Sequence, residues 1–137
     1  MAVEQNFYPS FFEKSLKGTS GTTFASGGSL LCKMRLYGAG GAFTSTHTSI
    51  SDLSGLVGVA DDVTVTLTKV GDILKFSVES ASWNAPGTFK YAVLATSTDD
   101  YLFMHFNLNS GADITPAGLF TLSMTPGEEP QINFVPA

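Results

Sequence analysis

Residues 61–80 read DDVTVTLTKVGDILKFSVES, and this stretch carries the clearest structural signal in the chain. Apolar residues alternate with threonines in its first half and with mostly polar residues in its second half. A period of two is typical of a strand that buries one face, and β-branched residues favour that conformation. Between the halves, Gly71 and Asp72 supply a two-residue turn whose first central position favours glycine, so the stretch predicts a β-hairpin. Its inward-facing side chains are predicted to be Val63, Val65, Leu67, Leu74, Phe76 and Val78.

Similar patterns recur along the chain, separated by turn-forming residues. They read LLCKMRLY (30–37), TFKYAVLAT (88–96), YLFMHFNL (101–108), LFTLSMT (119–125) and QINFV (131–135). Both faces of the segment 88–96 are largely apolar, which predicts a central strand, and the polar sequence STDD that follows it is typical of a turn. We therefore expect a second hairpin over residues 88–108. Alternation in its second strand predicts two faces. One face carries Leu102, Met104, Phe106 and Leu108, and the other carries His105 together with Tyr101, Phe103 and Asn107.

Residues 6–17, NFYPSFFEKSLK, form the best helix candidate. Either Asn6 or Ser10 would be the N-cap, and Ser10 with Glu13 has the spacing of a capping box. Gly18 stands in the position that ends many helices. The aromatic residues of this segment either plug one end of the fold or contact a partner. A Gly/Ser/Thr-rich loop is predicted at residues 18–29.

About seven or eight short strands with one short helix favour an all-β fold over a parallel α/β sheet. We predict an antiparallel β-sandwich, jelly-roll-like, with one short N-terminal helix. The chain of 137 residues is the size of one domain. Within it we expect an N-terminal arm at residues 1–30, a β-sandwich core at 31–125 and a C-terminal tail at 126–137.

The charge pattern narrows the range of partners. The formal net charge is −5, and the seven lysines and arginines are scattered along the chain. Because no basic stripe is present, we expect no direct contact with nucleic acid. No apolar run is long enough for a membrane helix, and the start MAVEQNFYPS lacks the features of a signal peptide, which favours folding in a cytosol. The single cysteine, Cys32, has apolar neighbours and is expected to be a buried, inert thiol.

No motif in the sequence predicts catalysis. The acid pair Asp99–Asp100 stands near His105, but a turn carries its carboxylates roughly 16–20 Å from the middle of a strand. His47 lies in a polar loop, and no second ligand is spaced to share a metal ion with either histidine. We therefore predict no enzymatic activity, no cofactor, and no metal site.

Two apolar ends of the chain are instead candidates for contact with a partner. A short apolar strand near a chain end either pairs with a neighbour's sheet or closes its own sheet. The predicted partner-binding residues are Phe7, Tyr8, Phe11, Phe12, Ile132, Phe134 and Val135.

The order of several motifs resembles that of small virion proteins of tailed bacteriophages. The likeness covers residues 60–125 well and the first 20 loosely, and where that group has an acidic or polar DFGS-like turn this chain has NLNSG. The matching residues are Trp83, Asn84, Tyr91, Ala92, Val93, Leu94, Phe106, Asn107, Gly118, Phe120, Thr121 and Leu122.

The resemblance implies a capsid decoration or cement protein, made in the host cytoplasm and located on the capsid surface of the virion. Its partner would be the major capsid protein, and self-association as a dimer or trimer is expected. One alternative is a tail, neck or connector protein of the same virion. An alternative of another class is a carbohydrate-binding module that uses Trp83, Tyr91 or Tyr101 as an aromatic platform.

Overall fold

The computed structural model describes residues 4–25, 28–124 and 129–133. Within these residues, 49% of the chain is strand and 11% is helical, which confirms the expected all-β, sandwich-like fold. One α-helix, α1, spans Pro9–Leu16. The strands are β1 Glu4–Phe7, β2 Ser29–Tyr37, β3 Leu56–Val70, β4 Ile73–Val78, β5 Ala81–Asn84, β6 Tyr91–Thr96, β7 Leu102–Asn107, β8 Leu119–Leu122 and β9 Gln131–Asn133.

Seven strands form one curled antiparallel sheet in the order β1-β7-β6-β2-β3-β4-β9, and β5 pairs with β8 in a second, small sheet. The hairpin predicted from residues 61–80 is present, because Val70 pairs with Ile73 and Gly71 and Asp72 lie between them. Gly71 has a φ of 59°, as the first central residue of such a tight turn requires. The strand before it is longer than predicted and begins at Leu56.

Strand β6 lies between β2 and β7, and its residues from Ala92 to Thr96 are buried on both faces of the sheet, which confirms the predicted central strand. The hairpin that joins β6 to β7 is also confirmed. The register of this pair shifts, because Leu94 pairs with Met104 and the next residue, Ala95, pairs with Leu102.

This β-bulge corrects the predicted faces of β7. Phe103 and Met104 both contact the main hydrophobic cluster, while Leu102 belongs to a second cluster. Strict alternation had placed Leu102 with Met104 and Phe103 with His105. One extra residue on the bulged strand reverses the faces on one side of the bulge, and sequence periodicity carries no signal for it.

The two faces of the large sheet bury different clusters. The main cluster lies between the sheet, α1 and the small sheet. The second cluster contains Tyr8, Tyr37, Val93, Ala95 and Leu102. Residues 38–55, here called the cover loop, pack against it through Phe43, Ile50 and Leu53.

Helix α1 begins later than predicted. Its N-cap is Tyr8, which makes no side-chain capping bond, and Pro9 occupies the first helical turn. Neither Asn6, which lies in β1, nor Ser10, which lies inside the helix, is the cap. Proline with its fixed φ suits the first turn, so it sets the start here. Gly18 has a φ of 73° and lies just beyond the last turn, as expected for a terminating glycine.

The described part of the expected N-terminal arm, residues 1–30, lies against the large sheet. In its described part, β1 pairs with β7 at one edge of the large sheet and α1 packs on the main cluster. In the expected tail at residues 126–137, β9 pairs with β4 at the other edge. The sequence left open whether this strand pairs with a neighbour's sheet or with the sheet of its own chain. Residues 131–133 pair with their own sheet.

Candidate functional site

Six phenylalanine side chains surround the contact between α1 and the large sheet. They are Phe7, Phe11, Phe12, Phe24, Phe76 and Phe103. At the centre, the rings of Phe11 and Phe103 stack with their centroids 3.8 Å apart. The ring of Phe76 meets that of Phe103 edge-to-face at 5.6 Å. The bulge in β7 makes this cluster possible, because it turns Phe103 toward the helix.

The fold buries part of the predicted partner-binding set. Tyr8 and Phe11 are 0% and 1% exposed, so neither side chain is available to a partner. Phe7 is half-buried and packs against Phe12 and Phe76, each at 5.3 Å between centroids. The spacing of aromatics along a helix shows that one face is apolar, but it does not show whether the chain or a partner covers that face.

Beyond Phe12 the apolar layer between helix and sheet opens into a groove of about 380 Å³. The groove is lined by Phe11, Phe12, Ser15, Leu16, Phe24, Leu67, Leu74, Phe76 and Ile132. Thus three predicted residues, Phe11, Phe12 and Ile132, line this surface, although Phe11 is only 1% exposed. Two others, Phe134 and Val135, lie outside the described residues.

The rim of the groove carries Leu16, whose side chain is 89% exposed, more than any other large apolar side chain in the described part of the chain. All of the lining residues are apolar except Ser15. On the neighbouring turn, Glu13 and Lys17 form an exposed ion pair at 3.5 Å, which contributes little energy but gives the apolar surface a polar border. Apolar surface with a polar rim is typical of a protein–protein contact.

Sequence reasoning missed Leu16, Phe24, Leu67 and Leu74 as members of this surface. A signal for Leu16 was present, because it follows Phe12 by four residues and so lies on the same helix face. Leu67 and Leu74 were predicted to face inward, which is correct, but their incomplete cover depends on where the helix ends.

The acid pair near His105 lies in the β6–β7 turn, as predicted. Asp99 and Asp100 have φ values of 64° and 52°, in the left-handed region that aspartate tolerates better than most residues. Asp100 accepts a hydrogen bond from Nη2 of Arg35 at 3.1 Å, and Arg35 is nearly buried. The role of Asp100 is therefore to neutralise Arg35 and to fix the turn.

Two tyrosines, Tyr8 and Tyr37, belong to the second cluster under the cover loop, and Tyr37 lies near the Arg35–Asp100 pair. Burial raises the pKa of the Tyr8 phenol, and the nearby Tyr37 raises it further. Burial also raises the pKa of Tyr37, and the charge of Arg35 partly opposes this rise. Both phenols therefore stay neutral well into the alkaline range.

Within residues 4–25, 28–124 and 129–133, no group of three or more His, Cys, Asp or Glu side chains could hold a metal ion. His105 and His47 belong to different elements, β7 and the cover loop. The ring of His105 bonds to a backbone carbonyl rather than to any acidic side chain in this part of the structure.

Trp83, one candidate for the aromatic platform that would bind a carbohydrate, lies in the main hydrophobic cluster. Its side chain is 4% exposed, and its indole N–H donates to the carbonyl of Val59 at 2.8 Å. Tyr91 packs on the ring of His105 at 4.9 Å, and the Lys14 ammonium lies 4.5 Å from the centroid of Tyr101. Trp83 is therefore a core residue, because the small sheet packs against β3.

Comparison with known proteins adds no relative: no family model, no curated protein and no solved structure matches the chain. In the described residues, no helix has the length and apolar character needed to cross a membrane.

Proposed function

We propose that the chain is a structural virion protein of a tailed bacteriophage, a decoration or cement protein that binds the outside of the head and stabilises contacts between major capsid subunits. The motif order of residues 60–125 supports this assignment by resemblance. In this proposal the protein is made in the host cytoplasm and acts on the capsid surface.

The observation that carries the proposal is the apolar groove beside α1. A cement protein must bind a large assembly without distorting, so it needs a rigid framework and an apolar contact surface. The aromatic cluster provides the rigid framework, since Phe11, Phe76 and Phe103 pack the helix tightly on the sheet. Leu16 and Phe12 provide the apolar contact surface at the edge of that cluster.

The groove is also a surface through which copies of the chain would associate as the expected dimer or trimer. Exposed apolar anchors near the centre of a contact usually contribute most of its binding energy. We therefore expect the capsid contact, the self-contact, or both to include Leu16.

The test compares two matched substitutions, Leu16→Gln at the groove and Leu119→Gln on the small sheet. Leu119 is also strongly exposed, at 71%, but lies away from the groove. Purified protein is added to heads that lack it, and bound copies are counted by gel densitometry. We expect hundreds of copies per head for the natural chain and for Leu119→Gln, and at least about tenfold weaker binding for Leu16→Gln.

Two results would contradict parts of the proposal. A count of about six to a few dozen copies in the virion would assign the chain to the neck or tail instead. Equal binding by the two variants would exclude the groove as the contact, while leaving the virion role to be judged from the copy number alone.

A further inference from the structure

His105 occupies an interior position on the face of the sheet that the cover loop protects. Its side chain is 2% exposed, and Nε2 lies 2.8 Å from the carbonyl oxygen of Gly41 in that loop. A carbonyl oxygen can only accept, so Nε2 carries the hydrogen and donates it. In the neutral ring Nδ1 is then bare, and this buried atom has no hydrogen-bond partner among the described residues.

The surroundings of the ring are mostly aromatic. Tyr8, Phe43 and Tyr91 lie with ring centroids 6.4, 5.7 and 4.9 Å from the imidazole. They come from the segment before α1, the cover loop and β6. None of the three provides an acceptor for Nδ1 in the described structure, because the only hydrogen bond of the ring is the one to Gly41.

Charged and titratable groups face this region from every neighbouring element. They are Glu4 on β1, Tyr8 before α1, Arg35 and Tyr37 on β2, Tyr91 on β6, Asp100 in the β6–β7 turn, and His47 and Asp52 in the cover loop. Across the strands, Arg35 pairs with Val93 and Val93 pairs with His105, so Arg35 is a nearby cation that Asp100 partly neutralises. The acidic groups among them are paired or exposed to solvent: Asp100 binds Arg35, Asp52 accepts bonds from backbone amides of the cover loop, and Glu4 is exposed. None of these carboxylates forms a hydrogen bond with the ring of His105 in the described structure.

The cover loop is joined to the sheet by few bonds. The amide of Ile50 donates to the carbonyl of Asp100 at 3.2 Å, and the amide of Leu102 donates to the carbonyl of Thr48 at 3.0 Å. Its apolar residues are only partly buried against the second cluster. The hydroxyl of Ser10 on α1 also donates to the carbonyl of His47 in the loop, at 3.3 Å. The bond between His105 and Gly41 is therefore one of a small number of described hydrogen bonds that hold the loop.

We propose that the cover loop is a pH-controlled strap, which neutral His105 holds on the sheet and which mild acid releases. Protonation would place an N–H donor at Nδ1 among aromatic rings, without an acceptor and with the charge removed from water. Leaving a buried donor unpaired is costly, so the protonated ring favours the state in which the loop opens and water reaches it.

The direction of the pH effect follows from the two states. Burial lowers the pKa of His105 in the closed state, and the hydrogen bond to Gly41 opposes this in smaller measure. In the open state the ring has an ordinary pKa of about 6.5. The open state therefore binds the proton more readily, and the opening equilibrium rises by up to about tenfold for each pH unit below about 6.5, until His105 also protonates in the closed state.

The other titratable groups of the loop act differently. Asp52 accepts hydrogen bonds from the amides of Thr48 and Ser49, and these bonds lower its pKa from the usual 3.8. It therefore stays charged between pH 5 and 7.5. A positive charge on His47 would be attracted to Asp52 and would tighten the loop, which is opposite to the effect of His105.

The test is amide hydrogen exchange of the full chain between pH 5.0 and 7.5, corrected for the intrinsic pH dependence of exchange. The probes are the amides of Ile50 and Leu102, which donate to Asp100 and Thr48 across the contact between the loop and the sheet. We expect their protection to fall by several-fold to about tenfold per pH unit below 6.5 in the natural chain and in the control His47→Gln. In His105→Gln, whose amide can still donate to Gly41, protection should not change with pH.

Protection that stays constant between pH 7.5 and 5.0 in the natural chain would overturn the proposal, as would the same pH dependence in His105→Gln. If that variant does not fold, nitrogen NMR of the natural chain decides the matter. We expect Nε2 of His105 to be protonated and Nδ1 bare at pH 7.5, with loop opening and ring titration occurring together. Loop opening that does not follow the titration of His105 would refute the mechanism.

Discussion

The chemistry of a single side chain in this fold depends on the sheet around it. Cys32 lies in β2, between β3 and β6, and contacts the main cluster. Burial raises the pKa of its thiol to about 12. The sequence predicted a buried thiol from its apolar neighbours, and that prediction is confirmed.

We predict that Cys32 does not react with an aromatic disulfide reagent in the folded protein at pH 8. Only about one thiol in ten thousand would be ionised there, and the thiolate is the reactive form. In denaturant the same thiol should react fully, with one equivalent per chain, because the sequence contains one cysteine. The release of the coloured thiol measures both reactions, and rapid labelling without denaturant would disprove the buried site.

Among the elements, the β3–β4 hairpin and the β6–β7 hairpin illustrate two degrees of predictability. The first follows from local pattern alone, since its alternation and its Gly71–Asp72 turn agree. The second was correctly placed, but its bulge was not foreseen. A bulge changes the facing of residues through pairing with a partner strand, which is a property of two strands together.

At the β3–β4 turn we predict that Gly71→Ala lowers the free energy of unfolding by about 1 kcal/mol, because an L-residue is disfavoured at positive φ. No atom lies within 4 Å of the added Cβ, so a steric clash is not the cause. The matched control is Gly118→Ala, which also meets nothing within 4 Å but has no positive φ. Urea denaturation should show a change of at most about 0.5 kcal/mol for the control; equal effects would argue against the tight turn.

For the whole molecule, the contact between α1 and the large sheet is the decisive feature. Pairing of β1 with β7 at one edge brings the helix over the main cluster, and the bulged Phe103 meets Phe11 there. The contact between α1 and the large sheet ends near Leu16, and beyond it the two elements are separated by the groove. Stability and the candidate binding surface therefore arise from one packing arrangement.

Two alanine substitutions in the same helix should separate these roles. Phe11→Ala removes a ring that is 1% exposed, so it should lower the free energy of unfolding by about 3–5 kcal/mol. Leu16→Ala removes a side chain that is 89% exposed and should change the free energy of unfolding by no more than about 0.5 kcal/mol. Thermal and urea unfolding measure both values. A large loss for Leu16→Ala would mean that the groove is closed in solution.

The residues of the candidate groove were only partly predictable. Phe12 and Ile132 line the groove at half-buried positions, whereas Phe11 lines it from an almost fully buried position. Tyr8 is an interior residue. A sequence shows that an apolar face must be covered, because exposing it to water is unfavourable. It does not show how much of the cover comes from the same chain, because that depends on contacts between residues far apart in the sequence.

By itself, the sequence determined the strand class, the main hairpins, the terminating Gly18 and the burial of Cys32, because each depends on periodicity, turn chemistry or neighbours within a few residues. Only the tertiary structure decided that the helix aromatics face inward, that Trp83 belongs to the core and that His105 holds the cover loop. The physical reason is that these outcomes depend on which surfaces meet. Which surfaces pack together is determined by the pairing of strands far apart in the sequence and by the one extra residue in β7.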